Sequence, residues 1–178
     1  LAIAHGVGAK SRLEFPIGKA LFETEGWITN VRISPSGDAL AFIHHPRTGD
    51  DGGSVMVIGR EGKPKPLAEG FSTAGGLAWS PSGREVWFTA TQVGGNRALW
   101  AVTLSGEKRI LARVTGNLTL HDVARDGRIL VSHDTLRSGI LGYAPGDARE
   151  KDLSWLDWSG VRDIAADGSW FAFVESGE

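Results

Sequence analysis

Short runs of apolar residues recur along this chain in pairs, and each pair is parted by a polar turn with glycine at its centre. The turns are Ser34-Pro35-Ser36-Gly37-Asp38, Ser80-Pro81-Ser82-Gly83-Arg84, Arg125-Asp126-Gly127-Arg128 and Ala166-Asp167-Gly168-Ser169. Aligned on the four glycines, the flanking positions match. Four residues before stand Ile33, Trp79, Val123 and Ile164; three after stand Leu40, Val86, Leu130 and Phe171. Five after come Phe42, Phe88, Ser132 and Phe173. Residues two apart share a face of a strand, so these positions predict the buried face of a β-hairpin. Ala41, Trp87, Val131 and Ala172, between them, are also mostly apolar. A strand apolar on both faces is covered on both faces. Glycine suits the turn because it takes positive φ without a Cβ penalty, and Pro35 and Pro81 preset φ there.

A third strand follows each of the first three hairpins, over 54–58, 98–102 and 139–143, and a more polar fourth near 66–68, 109–112 and 152–153. Polarity rises outward because an outermost strand is a sheet edge facing water. Four strands per unit, repeated every 40–45 residues or so, are the pattern of a β-propeller blade. The fold class expected is therefore all-β: a propeller of four-stranded antiparallel blades, about four repeats, forming one segment over 1–178. Its divisions are an outer half-blade at 12–26, blades at 27–70, 71–115 and 116–158, and an inner half-blade at 159–178. The two halves complement each other. They pair within the chain, or two copies pair in a homodimer that completes a ring, or the chain is part of a larger ring.

Composition narrows the functions. Nineteen basic residues against 21 acidic give a net charge of −2 without a basic stripe, so nucleic acid is not expected as a partner. Cysteine is absent, which excludes disulfides and thiolate zinc sites. No apolar run approaches the ~20 residues of a membrane span, so no membrane contact by this chain is expected. The opening Leu1-Ala2-Ile3-Ala4 is too short for the apolar region of a signal peptide, and a signal for export would lie outside the chain.

Several stretches resemble a known group. The two SPSGxxxxF turns at 34–42 and 80–88, followed by third strands such as RALWAV at 97–102, resemble the WD40-like repeats of TolB-type propellers. RLEFPIGK at 12–19, GF at 70–71, GLAWSPSGREVWFTAT at 76–91 and DLSWLDWS at 152–159 resemble the C-terminal propeller of bacterial transmembrane serine/threonine protein kinases. In that family a cytoplasmic kinase domain precedes a membrane helix and then a sensor propeller. The resemblance implies a periplasmic or extracytoplasmic, non-catalytic module that senses a small ligand or binds a protein or peptide partner, serves signalling, and needs no cofactor. The chain departs from the full kinase pattern: it has no G-x-G-x-x-G loop before a V-A-I-K strand, no H-R-D and no D-F-G. Similar propellers precede the hydrolase domain of prolyl-oligopeptidase-type peptidases, so a propeller that gates a peptidase stays open. A TolB-like envelope scaffold does too.

Candidate chemistry is sparse. Gly6-Val7-Gly8-Ala9-Lys10-Ser11 is similar to a phosphate loop, but Ala4 and Ala9 occupy the required glycine positions. A frayed or strand-leading terminus is the expectation there. The longest polar insert, from His44 and His45 to Asp50 and Asp51, holds residue types that ligate divalent metals. Adjacent histidines on a strand point to opposite faces, however, so the insert is read as a ligand-contact loop with no metal. His121 stands where the first two repeats have Val31 and Leu77, and His133 is near it in sequence; the pair is a channel-lining candidate, and His121 reads otherwise as a hydrogen-bonded interior histidine. No G-x-S-x-G elbow occurs. Ser34 and Ser80 recur at one repeat position, and recurrence argues for structure, so catalysis by this chain is not expected. Of the seven tryptophans, Trp79, Trp87 and Trp100 are expected between blades, and Trp27, Trp155, Trp158 and Trp170 near strand starts with an edge exposed.

Overall fold

The computed structural model describes residues 1–135 and 137–176, and every regular element among them is a β-strand. Leu136, inside the stretch read as a third blade, and the last two residues of the expected half-blade 159–178 lie outside the described residues. The chain divides into two compact units, Leu1–Asp134 and Thr135–Glu178.

In the first unit, β1 (Ile3–Val7), β2 (Lys10–Glu14) and β3 (Ala20–Thr24) form a three-stranded sheet. Residues 3–7 thus add a strand to the stretch read as an outer half-blade. Two four-stranded antiparallel sheets follow, built in chain order. The first is β4 (Trp27–Ile33), β5 (Ala39–His45), β6 (Gly53–Gly59) and β7 (Lys65–Phe71). The second is β8 (Thr73–Trp79), β9 (Glu85–Thr91), β10 (Ala98–Thr103) and β11 (Lys108–Ala112). A hairpin of β12 (Asn117–Val123) and β13 (Ile129–Asp134) ends the unit. The second unit holds two antiparallel pairs, β14 (Leu141–Gly142) with β15 (Lys151–Asp152) and β16 (Trp158–Ile164) with β17 (Phe171–Ser176). The boundary between the units falls inside the stretch read as the third blade.

All four turns are built round a glycine of positive φ, but the third is one residue shorter, closing Ala124 on Arg128 where the first closes Ser34 on Ala39. The glycines have φ of 77°, 68°, 87° and 70°. Each donates its N–H to the carbonyl three residues back, at 2.9, 2.9, 2.9 and 2.8 Å. In the first two the serine hydroxyl is built into the turn. Buried Ser34 Oγ accepts the N–H of Ala39 at 3.1 Å, and buried Ser80 Oγ accepts that of Glu85 at 3.1 Å.

Alternation along the second strand of each full blade sends side chains into two different cores. On β5, Leu40 and Phe42 pack with Leu13, Phe15 and Ile58 against the three-stranded sheet. Ala41 and Ile43 face the other way, into a core shared with Leu77, Val86, Phe88 and Ala90 of the next blade. The strand is buried on both faces because a sheet stacks on each. Ala78 and Leu99 then meet Leu118 and Leu120 of β12, with Trp87 alongside. No further sheet of the first unit follows the β12–β13 hairpin, and Ile129, which pairs with Val123 as Leu40 pairs with Ile33, is exposed.

A bulge breaks the first strand of every inner hairpin. Gly76, His121 and Arg162 are each an extra residue facing no partner, and Asn30 and Val31 are together inserted in β4. A bulge re-aims one side chain out of the alternation, which is why polar residues are tolerated at this position in the later repeats.

Candidate functional site

Consecutive strands in each blade are antiparallel, so their connections alternate between two ends. The glycine turns lie at one end. At the other lie the β5–β6 loop, the β7–β8 junction and the β9–β10 loop. These, with the start of β12, enclose an open cleft of about 640 Å³. Its walls are Gly49, Asp50 and Asp51 from the first loop, Ser72 and Thr73 from the junction, Gly94, Gly95 and Arg97 from the second loop, and Asn117.

The β5–β6 loop is latched from beneath by His45, which is 1% exposed. Its Nδ1–H donates to the Gly52 carbonyl at 3.0 Å, which makes Nε2 the acceptor of the Thr29 hydroxyl at 2.9 Å. The Trp27 ring stacks on the imidazole with centroids 4.2 Å apart, and its Nε1–H donates to the Asp50 carbonyl at 3.2 Å. Asp50 Oδ1 accepts the Gly52 N–H at 2.8 Å, closing the loop on itself. Glycine is required at both ends of the latch. A Cβ on Gly26 would lie 1.9 Å from the His45 carbonyl oxygen, and one on Gly53 2.9 Å from the His44 carbonyl oxygen. Burial pushes the His45 imidazole below its ordinary value, against the raising pull of the Gly52 carbonyl and of Asp51.

His44 points to the opposite face. It meets the Phe22 ring edge-on at 5.3 Å and bonds Thr24 Oγ1 at 2.8 Å through Nε2. Thr24 Oγ1 also accepts the Gly26 N–H at 3.1 Å, so one hydroxyl ties His44 to the bend before β4. Burial again lowers the imidazole, and the neighbouring His45 adds to the effect.

The six residues singled out in the sequence therefore divide. Asp50 and Asp51 line the cleft, His45 supports it from below, and His44 belongs to the contact with the preceding sheet. His121 is exposed at its bulge, with Nε2 3.1 Å from Ser132 Oγ, and His133 donates from Nε2 to the Thr115 carbonyl at 2.6 Å. Among the described residues no three His, Cys, Asp or Glu side chains converge as a metal would require.

Sequence reasoning missed Arg97, the one cation of the cleft. Its backbone N–H donates to Asn117 Oδ1 at 3.1 Å, Nε–H to the Leu118 carbonyl at 3.2 Å, and Nη2–H to Thr119 Oγ1 at 2.8 Å. The guanidinium is thus pinned in place, yet among the described residues no carboxylate pairs with it. The one signal in the sequence was a lone charge at the head of an apolar strand. A second depression, about 460 Å³, lies at the glycine-turn end and is lined by Arg32, Trp79, Asp122 and Arg125 among others.

No protein-family model and no curated protein sequence matches the chain. Solved structures do. TolB from Acinetobacter baumannii superposes with a TM-score of 0.55 at 17% identity, over 94% of this chain and 43% of that one. The fold is a TolB-like β-propeller. A prolyl endopeptidase, from a study of inter-domain dynamics in catalysis and specificity, superposes with a TM-score of 0.52 at 15% identity, over 89% of this chain and 30% of that one. The chain spans less than half the length of either, and identities this low speak to fold alone.

Proposed function

We propose that this chain is part of a non-catalytic sensing or protein-interaction propeller that receives a protein or peptide partner, or a small ligand, in the cleft at the loop end of its blades. The observation that carries this reading is that the cleft gathers charges of both signs from separate blades and leaves them unpaired. Asp51 takes no side-chain bond among the described residues, and Arg97 meets no carboxylate. Function collects on loops held by a rigid scaffold, and here three sheets hold the loops. The hydroxyls of Ser34 and Ser80 are engaged in turn geometry, which supports a role without nucleophilic chemistry.

In its finer form the proposal makes the chain the extracytoplasmic, periplasmic-side part of a receptor-type serine/threonine kinase. Its support is the resemblance of residues 12–19, 76–91 and 152–159. Two other parents draw support from the fold comparisons: a TolB-like envelope scaffold, and a propeller that gates a peptidase. Sequencing the adjoining coding region separates them, since a kinase domain, a hydrolase elbow or neither would be found. Pairing of two copies through their terminal half-blades belongs to the same proposal, and light scattering tests it: a solution mass equal to one chain removes it. The binding reading is tested by equilibrium titration of the purified 178-residue chain against peptides and envelope proteins. Saturable binding is expected; none for a folded chain overturns it.

A further inference from the structure

The two charged walls of the cleft are fixed to neighbouring residues of one strand. The Asp51 carbonyl accepts the Ala74 N–H at 2.9 Å, and Arg97 Nη1 lies against Gly75, where a Cβ would come within 3.0 Å of it. The backbone of Asp51 and the guanidinium of Arg97 are therefore both fixed at the start of β8, and Ser72, Thr73 and Asn117 line the same cleft. Arg97 spends two N–H groups on Leu118 and Thr119, and among the described residues its other side-chain N–H groups meet no acceptor. Among the same residues Asp50 spends one carboxylate oxygen on Gly52, and Asp51 spends neither.

We propose that this cleft is a peptide site that takes an extended segment, with a lysine or arginine side chain against Asp50 and Asp51 and a backbone carbonyl or carboxylate accepting from Arg97. The proposal rests on the interaction reading above and names its ligand. Two carboxylates against one guanidinium make the lining acidic on balance, which repels phosphate and selects a cation. The walls are polar, and a main chain supplies alternating donors and acceptors that hydroxyl and amide groups can meet. Glycines at 49, 94 and 95 leave room at the rim. A charged hydrogen bond to each wall orients the segment across β8.

The test is an array of short immobilised peptides of varied charge, probed with the wild-type 178-residue chain and with Asp51→Asn, Asp51→Lys and Arg97→Gln. Asp51 is exposed and its side chain holds no contact of the fold among the described residues, so its variants keep the scaffold even if Arg97→Gln loosens β12. The expected result is capture of peptides that carry a basic residue close to an acidic one, weakened about tenfold by Asp51→Asn or Arg97→Gln. Asp51→Lys is expected to move the preference toward acidic peptides. Capture of peptides to the same extent by all variants overturns the cleft as the site and leaves the interaction reading standing. Capture of no peptide by the folded wild-type chain overturns the peptide site, while the wider interaction reading is overturned only if its own titration against envelope proteins also shows no binding.

Discussion

The backbone of Gly76 in β8 lies so close to that of Leu120 in β12 that a Cβ on Gly76 would sit 2.3 Å from the Leu120 carbonyl oxygen and 2.6 Å from its nitrogen. Inner strands of successive sheets touch main chain to main chain at this point. Gly76 also has φ of 80°, in the region that L side chains avoid. Gly76→Ala therefore incurs both a left-handed penalty and a clash, and is expected to destabilise by about 2–5 kcal/mol. Urea unfolding measures it. Gly37→Ala is the control: its φ is 77° but nothing lies within 4 Å of the added methyl, so about 1–2 kcal/mol is expected.

Thr89 completes the same junction. Its hydroxyl donates to the Gly75 carbonyl and accepts the buried Leu120 N–H at 3.2 Å, so one side chain joins β8, β9 and β12. Thr89→Val keeps the shape and removes the hydroxyl. One buried and one half-buried backbone group lose a partner, and a loss of about 1–3 kcal/mol is expected. A loss equal to that of an exposed threonine variant would show that the junction relaxes without it.

Ser80→Ala removes the hydroxyl that accepts the Glu85 N–H inside the turn. About 1 kcal/mol of stability should go, typical of one neutral hydrogen bond. Ser34→Ala should cost more, about 1–3 kcal/mol, because Ser34 also donates to Asp38 Oδ1 and accepts the Asp38 N–H. Denaturant midpoints for both variants check this, and equal losses would mean that the bonds to Asp38 contribute nothing.

Stability should fall as pH drops from 7.5 to 5.5. His44 and His45 both have their folded pKa pushed below the ordinary value of about 6.5, first of all by burial. The unfolded chain then binds protons that the folded chain refuses. The stabilisation is complete above the unfolded value and is lost as pH falls from it toward the folded values. The carboxylates held low titrate further down, below their own ordinary values: Glu14 by the Gly18 amide and His5, Asp38 by Ser36 and Ser34, Glu85 by Arg109. The window above pH 5.5 therefore isolates histidine. A double variant, His44→Gln with His45→Gln, should lose most of the slope; a wild-type midpoint that is flat across this range would refute the assignment.

The repeat was legible in the sequence because its signals are local. A glycine between Ser-Pro-Ser or Arg-Asp and a polar residue encodes the turn by its own φ, and side chains alternate across any strand wherever it lies. So the hairpins, the two-faced burial of Leu40, Ala41, Phe42 and Ile43, and the opposed directions of His44 and His45 could be read one segment at a time. The bulges could not: His121 looked like an interior position because counting from Gly127 assumes unbroken alternation, and one unpaired residue in β12 cancels that count. The cleft was half legible. Asp50 and Asp51 stood out as a polar insert, whereas Arg97 gains meaning only from Asn117, Leu118 and Thr119, which hold it from the next sheet. Turn and strand propensities are set by a few adjacent residues. Which loops meet at the end of a stack is set by the packing of whole sheets, through contacts such as Gly76 on Leu120, between residues far apart in the chain.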